Sequence, residues 1–120
     1  MKKGIDVSRW NEVNDYDAIK RSGVEFAIVK VNNAGNAPDA RFREHVAGFK
    51  AAGIPCKDGY NYSYANTVAK AQRAAGSFVE LAIPAGIETM WLDLEDVSIK
   101  GLGSKILKII DTYKKEAIQA

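Results

Sequence analysis

The sequence predicts an α/β fold, a (βα)4 arrangement of parallel strands alternating with helices. Two observations predict it. Four short segments rich in β-branched or aromatic residues recur at about thirty residues per unit, and each is followed by a stretch with helical periodicity. Strands joined through helices at that spacing run parallel, with right-handed crossovers. The 120 residues, 47% of them hydrophobic, suit a single domain spanning 1–120 with one core.

The elements follow in order. "GIDVS" (4 to 8) is the first strand, and Asp15 to Ser22 the first helix, capped by Asn14 and stopped at Gly23. "FAIVKV" (26 to 31) is the second strand. "DARFREHVAGFKAAG" is the second helix, ending at Gly53, with Phe42, Val46 and Phe49 facing the core. "GYNYSY" (59 to 64) is the third strand. A helix from Thr67 to Leu81 behind an Asn66 cap follows it, packing through Ala69, Ala74, Phe78 and Leu81. Pro84 and Gly86 break the chain before "TMWLDLE" (89 to 95). The last helix, "LGSKILKIIDTYKKEAIQA", carries a stripe of Leu102, Ile106, Ile109, Ile110, Tyr113 and Ala117. Two architectures fit this order: a complete open sheet, or half of an eightfold barrel, which takes about 250 residues. Length alone favours the open sheet.

Composition removes several function classes. The net charge of +2, without a basic cluster interleaved with aromatics, leaves no electrostatic footprint for nucleic acid. A single cysteine, Cys56, excludes an internal disulfide and reads as a small buried hydrophobe, and the lone His45 excludes the usual zinc spacings. His45 lies among charged neighbours and is expected to be exposed, without a role. The amino-terminal "MKKGIDVSRW" contains no apolar run of signal-peptide or membrane-spanning length. A cytoplasmic protein that reaches the outside only by release or another export route is therefore expected.

The chemistry gathers at one end of the strands. Asp6 lies in the first strand, Lys30 and Asn32 end the second, Asn61 and Tyr62 lie in the third, and Asp93 and Glu95 end the fourth. In parallel α/β folds ligands bind at the carboxyl ends of strands, and buried carboxylates without partners are costly. Repeated polarity there points to a shared cleft. Asp93 and Glu95 are two apart, so they leave the strand on one face, about 7 Å apart at the backbone, with Leu92 and Leu94 on the other. Two carboxyls this close do not both ionise cheaply, so the pair is suited to supply one acid and one stabilising anion. That combination fits glycosidic bond cleavage, in which one carboxyl protonates the leaving oxygen and the other stabilises positive charge. Trp10, Tyr60, Tyr62 and Tyr64 offer flat faces and hydroxyls for sugar rings.

The plainer readings stand beside these. A D-x-E at a strand end also serves as a cap or a solvated surface, Asp96 fits a turn contact to backbone N–H, and Lys30 can snorkel from the sheet. An Mg²⁺-binding phosphoacceptor sheet also places acids at strand tips, but no late strand here carries the lysine it needs.

Taken together, "KGIDVSRWN", "FAIVKV" followed by "DARFREHVAGFKAAGIP", "GYNYSYA" and "MWLDLED" resemble family 25 of the glycoside hydrolases, the bacterial and phage N-acetylmuramidases. The resemblance is collinear over nearly the whole chain. It implies lysozyme activity on the β-1,4 bond between N-acetylmuramic acid and N-acetylglucosamine of peptidoglycan, without a metal or organic cofactor. It assigns Glu95 as proton donor, Asp93 as stabiliser of the intermediate and Asp6 as a further cleft acid. From their place in the shared cleft, Trp10, Lys30, Tyr60, Asn61 and Tyr62 are the candidate glycan contacts. The chain departs from the family pattern at Asp58, where glycine is common, and at Asn61, where histidine is common. The family's barrel is also about twice as long, so the resemblance implies the first half of a TIM-like (β/α)8 barrel. Half a barrel leaves its first and fourth strands as unpaired edges, which leads to the expectation of a homodimer. The alternative function is a glycan-binding module or self-associating fragment without turnover.

Overall fold

The structure, a computed structural model, describes residues 2–119. Four strands, β1 (Gly4–Val7), β2 (Phe26–Asn32), β3 (Asp58–Tyr62) and β4 (Thr89–Asp93), pair in the order β1-β2-β3-β4, all parallel. Between and after them run α1 (Tyr16–Arg21), α2 (Phe42–Ala52), α3 (Val68–Ala82) and α4 (Lys105–Gln119). The predicted alternation is therefore present, with each element shifted by a few residues at most. Two caps differ from expectation. Asp15, in extended conformation, accepts from the Ala18 N–H, and Thr67 accepts from the Lys70 N–H, so these residues cap α1 and α3 in place of Asn14 and Asn66.

The core lies on one side of the sheet. Val7, Ala27, Val29 and Val31 alternate onto the face that meets Phe42 and Phe49 of α2 and Phe78 of α3, with Ile54 and Ile87 closing the layer. Gly59 of β3 belongs to that layer because nothing larger fits: an added Cβ stands 2.6 Å from Val31 Cγ2. α2 ends at Gly53 in the left-handed conformation, as its sequence predicts. The buried stripe of α3 is Ala71, Ala75, Phe78 and Ala82, with Ala69 exposed and Ala74 and Leu81 only half-buried. In a helix so rich in alanine the apolar pattern hardly distinguishes one face from its neighbour. The small side chains let α4 approach, and Ala65, Ala71, Ala75, Ile109 and Tyr113 form a second cluster there.

Polar groups thread this second cluster. Between Lys30 and Asn32 the register of β2 against β3 slips, and Asn32 follows Val31 into the buried layer. The Asn32 amide donates to the Ala74 carbonyl (3.1 Å) and its oxygen accepts from the Asn61 amide (2.7 Å). The Tyr113 hydroxyl donates to Asn61 Oδ1 (2.8 Å) and lies 3.1 Å from Ser63 Oγ. Four elements are joined this way. Tyr113→Phe leaves the Asn61 oxygen without a donor, so a loss of about 1–3 kcal/mol is expected. Urea denaturation with an unchanged midpoint would remove Tyr113 from this role.

His45 corrects its expectation, because it is fully buried. It lies three residues after Phe42 and four before Phe49, on the core stripe of α2. Its Nε2 is 2.9 Å from the Ser8 carbonyl, which only accepts, so that nitrogen carries the proton. Nδ1 then accepts from the Tyr16 hydroxyl at 2.9 Å. One imidazole thus ties α2 to α1 and to the segment leaving β1.

Among the described residues, the other face of the sheet has no helix on it. Parallel sheets are ordinarily covered on both faces. Here Ile28, Lys30, Tyr60, Tyr62, Trp91 and Asp93 line an open concavity, the arrangement of half a (β/α)8 barrel.

Candidate active site

Strand alternation sends every second residue to the uncovered face, and at its carboxyl end those residues are polar. Asp6 and Ser8 come from β1 and the segment after it, Lys30 from β2, Tyr60 and Tyr62 from β3, and Asp93 and Glu95 from β4 and its exit. With Trp10, Tyr64 and Trp91 they line one cleft of about 630 Å³. Asp6, Trp10, Lys30, Tyr60, Tyr62, Asp93 and Glu95 are thus brought together. Asn61 is not. Its odd place in the "YNY" alternation turns the amide to the helix side, where it is 2% exposed and held by Asn32 and Tyr113. The expectation that Asn61 reaches ligand in the cleft is corrected, and Asn32 is buried beside it through the register slip that follows Lys30.

Tyr60 stands at the centre of the cleft's charge. Burial first, then the nearby Asp6, Asp39 and Asp93, push its hydroxyl up to about 12, against a hydrogen bond from Ser8 that opposes the rise. The phenol therefore keeps its proton among these carboxylates. Asp39, not anticipated from the sequence as a site residue, lies 2% exposed behind the end of β2. Its Oδ2 accepts from the Arg41 N–H.

The aromatic residues form the walls. The Tyr62 and Tyr64 rings lie 5.1 Å apart, and the Lys30 ammonium stands 5.8 Å from the Tyr62 centroid. On the far side the Arg9 guanidinium lies 4.5 Å over Trp10, which is 77% exposed. Trp91, 55% exposed, donates through Nε1 to Asp58 (3.1 Å) on the neighbouring strand. Sequence reading missed Trp91 as a cleft residue, although it shares the parity of Asp93. Cys56 is half-buried, and burial followed by Asp58 pushes its thiol up to about 11, so it is not a nucleophile at neutral pH.

Asp96 does structural work. Its Oδ2 accepts from Ser98 Oγ (2.6 Å) and Ser98 N (3.0 Å), and its Oδ1 from the Tyr62 hydroxyl (3.2 Å). The Ser98 hydroxyl, then the Ser98 N–H, hold the carboxyl below the ordinary aspartate value despite some desolvation, with Tyr62 adding to the effect. A carboxylate depressed in the folded state contributes stability that is complete above its unfolded value, near pH 4, and is lost as pH falls through the folded value. Asp96→Asn is expected to flatten the loss of stability on acidification below about pH 4. Urea midpoints measured against pH, with equal slopes in both proteins, would refute this.

The family model for glycosyl hydrolases family 25 matches residues 5–119. The chain belongs to glycosyl hydrolase family 25. Among curated relatives of this family 25 chain, lysozyme-like protein 5 of Caenorhabditis elegans is 28% identical over 97 residues, covering 78% of this chain and 45% of its own length. Among solved structures, the CTP1L endolysin superposes with a TM-score of 0.73 at 26% identity, over 96% of this chain and 42% of that one. The family 25 hydrolase GHIP of Streptococcus pneumoniae superposes with a TM-score of 0.82 at 24% identity, over 98% and 54%. At that identity the likeness to GHIP concerns the fold alone. The family 25 chain spans about half the length of these relatives, or less.

Proposed function

We propose that this family 25 chain cleaves the β-1,4 bond between N-acetylmuramic acid and N-acetylglucosamine in peptidoglycan. The observation that carries the reading is the gathering of Asp6, Asp93 and Glu95 with aromatic walls in one cleft at the carboxyl end of the sheet. Glu95, exposed where the chain leaves β4, has room to meet a leaving-group oxygen and donate a proton to it. Asp93, set deeper on the strand, stabilises positive charge developing at the anomeric carbon. Asp6 adds to the field from β1, and the Tyr60 hydroxyl donates to a sugar oxygen. Trp10, Tyr62 and Trp91 offer their rings to the faces of pyranoses. Such a polymer places the work at the bacterial wall, reached by release from the cell or by export.

The uncovered face favours a second reading. A cleft walled on one side holds a glycan without completing turnover, which describes a wall-binding module. Turbidity loss of purified walls with release of reducing ends supports cleavage, while retention on walls without such release supports binding alone. Both readings include a second copy across the open strand edges, since β1 and β4 each lack a neighbour on one side among the described residues.

A further inference from the structure

We propose that a second cavity beside the cleft receives the acidic peptide carried by the muramyl sugar of the substrate. The inference rests on the peptidoglycan reading above and extends the same site. The cavity, of about 260 Å³, is built entirely by residues between positions 33 and 74: the loop after β2, the exit of β3 and the first turns of α3. It lies next to the cleft, because Tyr62 and Tyr64 line both spaces. A substituent on a sugar held in the cleft reaches the cavity past these two rings.

Its chemistry is opposite to that of the cleft. The cleft contains Asp6, Asp93 and Glu95, whereas the polar lining of the cavity is Lys70, Arg73, Asn33, Asn36 and Asn61, without a carboxylate. Lys70 and Arg73 are three apart on α3, so they stand on one face of the helix. Among the described residues neither makes an ion pair. Lys70 Nζ donates to the Asn66 amide oxygen (3.0 Å), which leaves two of its three protons for a ligand. Asn61, 2% exposed, gives one of its two amide N–H bonds to Asn32 and keeps the other. The loop wall is fixed in advance. Asn36 adopts the left-handed conformation (φ 64°), and its carbonyl accepts from Ser77 Oγ of α3. Asn33 Oδ1 accepts from the Gly35 and Ala37 N–H groups (2.9 and 3.1 Å). A ligand therefore has little loop ordering to offset. Two cations and amide donors with no acid among them select a carboxylate, which arginine binds through two N–H bonds at once. The lactyl ether of N-acetylmuramic acid carries a peptide with free carboxylates, on the sugar whose bond the cleft acids address. A space below the usual range for drug-sized ligands takes a short stretch of that peptide. A phosphodiester of another wall polymer offers the same charge without the tether to the sugar, so the muramyl peptide is the source assigned.

The test compares ligands on the wild-type chain and on Lys70→Gln combined with Arg73→Gln, two exposed helix positions whose replacement leaves the core untouched. In isothermal titration, N-acetylmuramyl-L-alanyl-D-glutamate is expected to bind the double variant at least about fivefold more weakly. Chitotriose, a sugar without acid or peptide, should bind both proteins equally. The wild-type affinity for the muramyl peptide should also fall as salt rises. No binding of the muramyl peptide by the wild type, an affinity unchanged in the double variant, or an equal loss for chitotriose would each overturn the proposal. Inorganic phosphate is the third probe. Phosphate binding abolished in the double variant, with the muramyl peptide held as before, would assign the cavity to a wall phosphate and overturn the peptide. The cleavage reading fails separately. A chain that binds the muramyl peptide through Lys70 and Arg73 yet releases no reducing ends keeps the cavity and loses cleavage. Lysis of walls together with peptide binding indifferent to both residues does the reverse.

Discussion

Glu95→Gln is expected to reduce lysis of purified walls by about 10²–10⁴-fold while leaving the fold intact. The amide preserves the size and much of the hydrogen-bonding shape of the side chain but has no proton to give to a leaving alkoxide. Glu95 is exposed at the exit of β4 and makes none of the hydrogen bonds that hold the turn, which fall to Asp96 and Ser98. Stability in urea should therefore be unchanged. Release of reducing ends, followed alongside turbidity, separates loss of chemistry from loss of binding. A variant as active as the wild type would remove Glu95 from the acid role and move attention to Asp93.

Phe49→Ala is expected to lower stability by about 3–5 kcal/mol, enough to threaten a domain of this size. Phe49 is fully buried, packs edge-on against Tyr16 at 5.1 Å between centroids, and stacks on His45 at 6.1 Å. Its removal leaves a cavity where α2 meets α1. His45 and Tyr16 line that space, and through the Ser8 carbonyl they hold the segment between Asp6 and Trp10. The variant should thus lose wall-lysing activity at temperatures where circular dichroism still shows native helix. Urea denaturation gives the stability change directly, and a loss below about 1 kcal/mol would mean the site collapses around the deletion.

How far the site could be read from the sequence depends on strand parity. Asp6, Lys30, Tyr60, Tyr62, Asp93 and Glu95 were legible because polar residues at strand ends conflict with a buried sheet. Asn61 was placed in the cleft by its proximity to Tyr60 and Tyr62. Yet a period of two assigns it to the opposite face, where Asn32 and Tyr113 complete its hydrogen bonds. Trp91 carried the same signal in the other direction. His45 was hidden by Arg43 and Glu44, although its spacing from Phe42 and Phe49 marks the core stripe. Its partners, the Ser8 carbonyl and Tyr16, lie 37 and 29 residues away, and nothing local announces them.

By itself the sequence determined the alternation of strands and helices, the family, and the chemical types gathered at the strand ends. These follow from local periodicity and side-chain chemistry, which act within a few residues along the chain. Only the tertiary structure decided that, among the described residues, one face of the sheet stays uncovered, and that Asn32, Asn61 and Tyr113 form a buried network. Each of those depends on contacts between residues far apart in sequence, whose geometry is set by packing across the whole sheet.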